Sequence, residues 1–113
     1  MKVIVAGGRD FSNYDLLCKK LDIILSQQKD IQIVCGEARG ADSLGKRYAE
    51  EHGYVVLSYP ANWEKYGKSA GFRRNKEMAQ VADALVAFWD GQSKGTYNMI
   101  QLMKNKPIRV VMY

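Results

Sequence analysis

IQIVCGEARGAD, from Ile31 to Asp42, joins an apolar run with β-branched residues to a glycine-rich turn and the start of a helical pattern. A near-continuous apolar run of this kind is typical of a strand buried on both faces of a parallel sheet. Four further apolar runs occur along the chain. The five predicted strands are Val3–Ala6, Ile31–Cys35, Val55–Ser58, Ala84–Phe88 and Ile108–Met112.

Helical patterns lie between the predicted strands. Ser12 can cap the first helix. The second helix is predicted to begin near Ala41-Asp42, the third to cover Gly71–Val81 and the fourth to begin at Gly95-Thr96. This β-α alternation, with right-handed crossovers, predicts a Rossmann-like three-layer α/β sandwich in which a five-stranded parallel sheet carries helices on both faces. The length favours one domain over residues 1–113.

Composition and charge restrict the class of partner. The net charge is +5, from 17 basic and 12 acidic side chains, which suits a phosphorylated small molecule or a nucleic acid. No apolar run approaches the ~20 residues of a membrane span, and the first strand is too short for a signal peptide, so we expect a cytoplasmic protein with no membrane partner. Cys18, Cys35 and the single histidine form no zinc pattern, and no metal or cofactor is predicted. The oligomeric state stays open, a homo-oligomer included.

Three glycine-rich turns each follow a predicted strand and precede a predicted helix. They are Gly7-Gly8-Arg9, Gly36-Glu37-Ala38-Arg39-Gly40-Ala41-Asp42 and Gly91-Gln92-Ser93-Lys94-Gly95-Thr96. Glycine allows positive φ and a close approach of a ligand to the backbone. The helix that follows offers free N–H groups and the positive end of its dipole. Because the carboxyl ends of parallel strands meet at one edge, these turns predict a single crevice for an anionic ligand.

Individual side chains in these turns have two interpretations each. Arg9 can grip a phosphate with two hydrogen bonds, or it can form a surface ion pair with Asp10 or Asp42. Asp42 can contact a ligand, such as a ribose hydroxyl, or it can cap its helix. Gly95-Thr96 can cradle a phosphate beside the charge of Lys94, or Thr96 can be an ordinary N-cap.

A long connection runs from Tyr59 to Gly71 and leads into Arg73-Arg74-Asn75. It exceeds the usual 2–6 residues for such a loop, and long loops in compact α/β domains tend to be functional. Trp63 and Tyr66 can stack on a nucleobase, or they can form a small core of the loop itself. The arginines open a helix, where cations oppose the dipole, so the pattern favours a bound anion over side chains that extend into water.

Catalytic motifs are absent. The chain has no recognisable nucleophile with its base, no evident pair of carboxylates for acid and base roles, and no Walker or Gly-x-Gly-x-x-Gly pattern. The candidate ligand-binding residues are Gly7, Gly8, Arg9, Gly36, Glu37, Gly40, Ala41, Asp42, Trp63, Arg73, Arg74, Asn75, Gly91, Lys94, Gly95 and Thr96.

These motifs resemble those of the YspA/YpsA-related branch of the SLOG superfamily, whose Rossmann-like members include the LOG phosphoribohydrolases and the DNA-processing protein A family. Gly7–Phe11 resembles the first-strand G-x-R-x-F turn, and Gly36–Asp42 resembles the G-x-A-x-G-A-D loop. Pro60–Asn75 is similar to the signature P-A-x-W-x-x-Y-G-x-x-A-G-x-x-R-N, and Gly95-Thr96 resembles the final G-T turn. The resemblance implies the same fold and a binding site for a nucleotide or nucleotide-derived ligand, in a sensor or ligand-binding protein.

One departure bears on catalysis. LOG enzymes carry P-G-G-x-G-T-x-x-E, and Met99 stands here at the position of that catalytic glutamate. A thioether cannot accept a proton, so the resemblance implies nucleotide binding without LOG-type cleavage. Two alternatives stay open: a phosphoribohydrolase-like enzyme that uses another acid, such as Glu37 or Asp90, and a single-stranded nucleic-acid binding protein.

Overall fold

Five parallel strands form one sheet in the order β3-β2-β1-β4-β5 in a computed structural model that describes residues 1–113. The strands are β1 (Lys2–Gly7), β2 (Gln32–Cys35), β3 (Val55–Ser58), β4 (Ala84–Trp89) and β5 (Ile108–Met112). Central β1 pairs with β4 from Val3 opposite Ala84 to Gly7 opposite Phe88. Helices cover both faces of the sheet, so the predicted fold class is confirmed.

The helices follow the predicted alternation with one difference. They are α1 (Tyr14–Leu25), α2 (Ala41–Glu51), α3 (Trp63–Tyr66), α4 (Ala70–Val81) and α5 (Lys94–Leu102). The difference lies in the long connection after β3, which contains α3 and a 3-10 turn at Gly67–Ser69 rather than irregular loop alone. The Asn62 side chain stabilises α3 because it accepts a hydrogen bond of 3.1 Å from the Lys65 amide.

Alternating residues of the strands supply two hydrophobic cores. Val3 and Val5 of β1 pack with α1 and α2, whereas Ile4 and Ala6 pack with α4 and α5. Burial on both faces explains why the strands are apolar without interruption. A Cβ at Gly45 would lie 2.7 Å from the Val5 Cβ, so this glycine lets α2 lie directly on β1.

The first helix is capped one residue later than predicted. The α1 N-cap is Asn13, whose side-chain oxygen accepts a hydrogen bond of 3.0 Å from the Leu16 amide. The prediction of Ser12 as the cap is therefore wrong. An N-cap must immediately precede the first helical residue, and here that residue is Tyr14.

The strand order reverses at the centre of the sheet. From β1 the chain proceeds outward to β2 and β3, and then returns to place β4 on the other side of β1. The loops that follow β1 and β4 therefore diverge to opposite faces and leave a crevice at the carboxyl edge, where ligands of open α/β sheets bind. None of the helices combines the length and the apolar character required to cross a membrane.

Candidate functional site

A cavity of about 460 Å³ opens at this reversal of strand order, between the loops that follow β1 and β4. Its volume lies in the usual range for small-molecule sites, roughly 300–1,000 Å³. The predicted site residues that line it are Gly7, Gly8, Arg9, Asp42, Trp63, Arg74, Asn75, Gly95 and Thr96. The tertiary structure thus brings together one part of each predicted turn and the beginning of α4.

Arg74 is the central cation of the cavity. The residue is only 9% exposed, its Nη1 donates to the Gly36 carbonyl, and its Nε donates to the Asn75 Oδ1 over 3.0 Å. A Cβ at Gly36 would overlap the guanidinium, so glycine at that position makes room for Arg74. The remaining nitrogen, Nη2, donates to no protein group, which leaves a buried cation with free donors in the cavity lining.

Asn75 connects α4 to the start of α5. Its Nδ2 donates to the Asn98 Oδ1 over 3.0 Å and to the Gly95 carbonyl over 3.3 Å. Because Arg74 holds the loop after β2 and Asn75 holds the first turn of α5, this dipeptide fixes the two walls of the cavity relative to each other.

Asp42 contributes a buried carboxyl group. Burial raises its pKa to about 6, while the positive charge of Arg74 and the backbone amides of Ala38 and Gly36 act in the opposite direction. No Arg74 nitrogen lies within 4.0 Å of a carboxylate oxygen, so the two groups form no direct ion pair. Asp42 is also not an N-cap, because Gly40, at φ 75°, occupies that position of α2.

Arg9 lies at the exposed mouth of the cavity and forms neither of the predicted ion pairs. The Asp10 carboxylate instead accepts a hydrogen bond of 2.9 Å from the Tyr113 hydroxyl. Burial lowers the pKa of the Arg74 guanidinium, and the charge of Arg9 adds to this effect, while the Asp42 carboxylate acts in the opposite direction. Two neighbouring cations without a bound carboxylate make the cavity attractive to an anion.

The loop after β4 presents free backbone donors. The Asp90 carboxylate accepts hydrogen bonds of 2.8 Å from the amides of Gln92 and Ser93, which lower its pKa. Ser93 then caps α5 by accepting a hydrogen bond from the Thr96 amide, so the alternative in which Thr96 is itself the N-cap does not apply. The amides of Lys94 and Gly95 have no protein acceptor.

Trp63 is 51% exposed and lines the cavity, and Tyr66 is 37% exposed. Of the two interpretations of these rings, the exposure disfavours a small core of their own. The Trp63 ring lies over the backbone of α4, with its Cη2 3.4 Å from the position that a Cβ of Gly71 would take. The exposed half of this side chain lies at the cavity, where it is accessible to a ligand.

Glu37 and Arg73 point to other partners. Glu37 has φ 60°, and its Oε1 accepts hydrogen bonds of 2.6 Å from the Ser58 hydroxyl and 3.3 Å from Lys46. These contacts, with Ser58 the stronger influence, lower the pKa of Glu37. The Arg73 guanidinium lies 4.4 Å from the centre of the Tyr66 ring. Neither side chain lines the main cavity, because both are held on adjacent surfaces.

The remaining predicted residues also lie outside the cavity lining. They are Gly36, Gly40, Ala41, Gly91 and Lys94. Gly40 and Ala41 are packed against the protein: a Cβ at Gly40 would overlap the Gly8 carbonyl, and Ala41 is fully buried. Gly91 and Lys94 are exposed beside the cavity.

The prediction missed Lys68, Phe72 and Met78, which line the cavity as well. Phe72 is 49% exposed and Met78 is buried beneath the site. A helical period could have identified part of this set, since Gly71, Arg74-Asn75 and Met78 recur on one face of α4.

Comparison with known proteins identifies the family of the chain. Residues 1–66 match the model of the YspA, cpYpsA-related SLOG family. The chain belongs to this family. It is 32% identical, over 117 aligned residues, to the Gene 61 protein of Mycobacterium phage D29, with 97% of this chain and 94% of that protein covered. The resemblance drawn from the sequence motifs is therefore confirmed.

Two solved structures show the same fold as this SLOG protein. TM1055 aligns with a TM-score of 0.68 and 22% identity over 95% of this chain and 71% of its own. DNA processing protein A from Streptococcus pneumoniae aligns with a TM-score of 0.60 and 16% identity. The second alignment covers 97% of this chain and 58% of the larger protein.

Proposed function

We propose that the cavity binds a nucleotide or a nucleotide-derived phosphorylated ligand. The observation that carries this proposal is that Arg9, Arg74 and Gly95, whose amide has no protein acceptor, line one crevice where the strand order reverses. Membership of the SLOG family supports a nucleotide-related role.

Each part of the proposed ligand has a partner of matching chemistry. Arg9, the Nη2 of Arg74 and the first amides of α5 hold the phosphate, because charged and helix-terminal donors favour an anion. Asp42 accepts a hydrogen bond from a ribose hydroxyl. Trp63 stacks on the base, an interaction that contributes about 1–3 kcal/mol in nucleic-acid complexes.

A phosphoribohydrolase-like activity is the second candidate. Met99 lines the cavity but cannot transfer a proton, Glu37 lies outside it, and the hydrogen bonds to Asp90 hold its pKa low. Asp42 is the cavity carboxyl with a raised pKa, near 6, which suits a general acid or base better than the other two carboxylates. We expect no release of free base from nucleoside monophosphates at the ~10 per second typical of enzymes.

A nucleic-acid ligand makes a different prediction about salt. The affinity for a single strand falls with a log–log slope of about −0.7 per phosphate neutralised, so a polynucleotide gives a steep slope. A cavity for one nucleotide contacts few phosphates and gives a shallow slope. The structural relative named DNA processing protein A makes this alternative worth a direct test.

The decisive experiment is a thermal-shift screen against nucleoside mono-, di- and triphosphates at low and moderate salt. We expect one nucleotide class to raise the melting temperature at both salt concentrations. Arg9→Ala and Trp63→Ala should each reduce the shift, whereas Trp63→Phe keeps a stacking ring and should retain most of it. Lys29→Ala removes a charge from the exposed segment that precedes β2 and is the matched control.

Two outcomes would contradict the proposal. One is the absence of any nucleotide response in a protein that melts cooperatively. The other is tight binding of an oligonucleotide with a steep salt slope, beside no response to mononucleotides, which would favour the nucleic-acid alternative.

A further inference from the structure

A second cavity, of about 630 Å³, adjoins the first. The residues that line the second cavity and not the first are Gly36, Glu37, Arg39, Pro60 and Ala61. The residues that line both cavities are Arg9, Ala38, Trp63 and Arg74. These four residues therefore form a shared wall, and a ligand long enough to cross it contacts both compartments.

The shared wall is cationic and lacks a direct carboxylate partner. Arg74 is nine-tenths buried, with its Nη1 engaged by the Gly36 carbonyl and its Nη2 free of protein acceptors. Arg9 is exposed and forms no ion pair. A buried guanidinium with free donors and a second arginine beside it favour an anion of more than one charge at this position.

The compartments on either side suit the uncharged parts of such a ligand. Each cavity alone falls in the volume range of small-molecule sites, roughly 300–1,000 Å³, and the two together exceed it. Trp63 contributes to both, so its ring borders the ligand whichever compartment the base occupies. In the second cavity, Pro60 and Ala61 add apolar surface and Arg39 adds a further cation. The Glu37 carboxylate also lines this cavity, but it is engaged by Lys46 and by the Ser58 hydroxyl.

We propose that the preferred ligand is a dinucleotide whose two nucleosides are joined 5′ to 5′ through a pyrophosphate. One nucleoside occupies each cavity, and the pyrophosphate lies on Arg9 and Arg74. Two arginines match the two charges of a pyrophosphate, whereas the phosphodiester of a nucleic-acid fragment carries only one. This inference rests on the proposed function and extends it from one nucleotide to two.

Isothermal titration calorimetry tests the inference with three probes: adenosine monophosphate, diadenosine pyrophosphate and the 3′–5′ linked adenosine dinucleotide. The same trio is repeated with guanosine, cytidine and uridine. For at least one base, we expect the pyrophosphate-linked dinucleotide to bind at least tenfold more tightly than its monophosphate. The 3′–5′ linked dinucleotide should gain much less.

Variants separate the two compartments. Ala61→Trp fills the second cavity and should reduce the affinity for the dinucleotide to the level of the monophosphate. The affinity for the monophosphate itself should not change. Arg39→Ala should also weaken binding of the dinucleotide selectively, but to a smaller degree. Because Arg39 is exposed, this variant tests the second cavity even if Ala61→Trp does not fold. Gly95→Val narrows the first cavity and should weaken both ligands.

The outcomes are distinguishable. Equal affinities for monophosphate and dinucleotide, or no effect of Ala61→Trp and Arg39→Ala on the dinucleotide, would overturn the two-compartment inference and leave the proposed function intact. Tighter binding of the 3′–5′ linked dinucleotide would overturn the inference and identify a nucleic-acid fragment as the preferred ligand. Failure of all three probes with every base would overturn the two-compartment inference, whereas the proposed function is contradicted only if the nucleoside di- and triphosphates of the thermal-shift screen fail as well.

Discussion

In the loop after β1, Gly8 is enclosed by protein: its amide donates to the Phe88 carbonyl, its carbonyl accepts from the Phe11 and Ala41 amides, and a Cβ would overlap the Tyr113 hydroxyl. In the first turn of α5, just after the loop that follows β4, Gly95 is open: its amide has no protein acceptor, and a Cβ would meet no atom within 4 Å. Each glycine thus belongs to a glycine-rich segment that follows a parallel strand and leads into a helix.

The same sequence pattern thus arises from two physical requirements. Gly8 is required because side-chain atoms of Asp10 and Tyr113 occupy the space that a Cβ would take. Gly95 can be replaced by a larger residue as far as the protein is concerned, so the space beside it and its free amide are available to a ligand. A glycine-rich turn predicts close approach of some partner, and only the surroundings decide whether that partner is protein or ligand.

Gly40→Ala should give the largest effect on the packed side. Its Cβ would overlap the Gly8 carbonyl, and its φ of 75° is unfavourable for alanine, so we expect a loss of about 3–5 kcal/mol in the free energy of unfolding. Urea denaturation measures this loss. Gly53→Ala is the matched control, because its φ is 71° with no neighbour within 4 Å, and it should lose only about 1–2 kcal/mol. Equal losses would show that overlap with the loop after β1 is unimportant.

Asp42→Asn should stabilise the unliganded protein at high pH. The folded-state pKa of Asp42 is raised from 3.8 to about 6, so its favourable contribution is complete below pH 3.8 and is lost as the pH rises through 6. We expect the asparagine variant to gain about 2–3 kcal/mol over the wild type at pH 8 and to lose that advantage near pH 4.

Denaturation curves across this pH range measure the difference, and Asp90→Asn supplies the contrast on the open side. Backbone hydrogen bonds lower the pKa of Asp90, so its favourable contribution exists at high pH and is lost on acidification. Removal of its charge should therefore destabilise the protein at pH 8. The same sign for both variants would contradict the distinction between a buried and a hydrogen-bonded carboxylate.

Ser93→Ala should cost about 1 kcal/mol, since it removes the N-cap that positions the open loop. Asn13→Ala should cost a similar amount at α1, whereas Ser12→Ala should leave the melting temperature unchanged because Ser12 caps no helix. Differential scanning calorimetry resolves these shifts. If Ser12→Ala lowered the melting temperature as much as Asn13→Ala, the assignment of Asn13 as the N-cap of α1 would be contradicted.

Gly95→Ala should change stability least. Alanine at this first-turn position is sterically free and a better helix former, so the free energy of unfolding should rise by less than ~1 kcal/mol. The added methyl group enters the space assigned to the phosphate, so the nucleotide-induced thermal shift should fall. An unchanged shift would remove the loop after β4 from the proposed site.

Much of the fold was predictable because strands that are buried on both faces of the sheet are apolar without interruption. The bounds of β3 and β5 agree with prediction, and α4 and α5 begin within one residue of the expected position. The short α3 was missed, because four residues carry no helical period. Arg73 and Glu37 are sequence neighbours of cavity-lining residues, and only the structure shows that their side chains contact Tyr66 and Ser58.

The alternation of strands and helices, the family and the glycines at the carboxyl edge can all be read from the sequence, because apolar periodicity and backbone conformation are local properties. The three-dimensional packing was needed to show which glycines have protein atoms in the place of a Cβ, which arginine is buried between two cavities, and which carboxyl group has a raised pKa. Those properties depend on which residues face each other across the crevice at the carboxyl edge. The reversal of strand order between β1 and β4 creates that crevice.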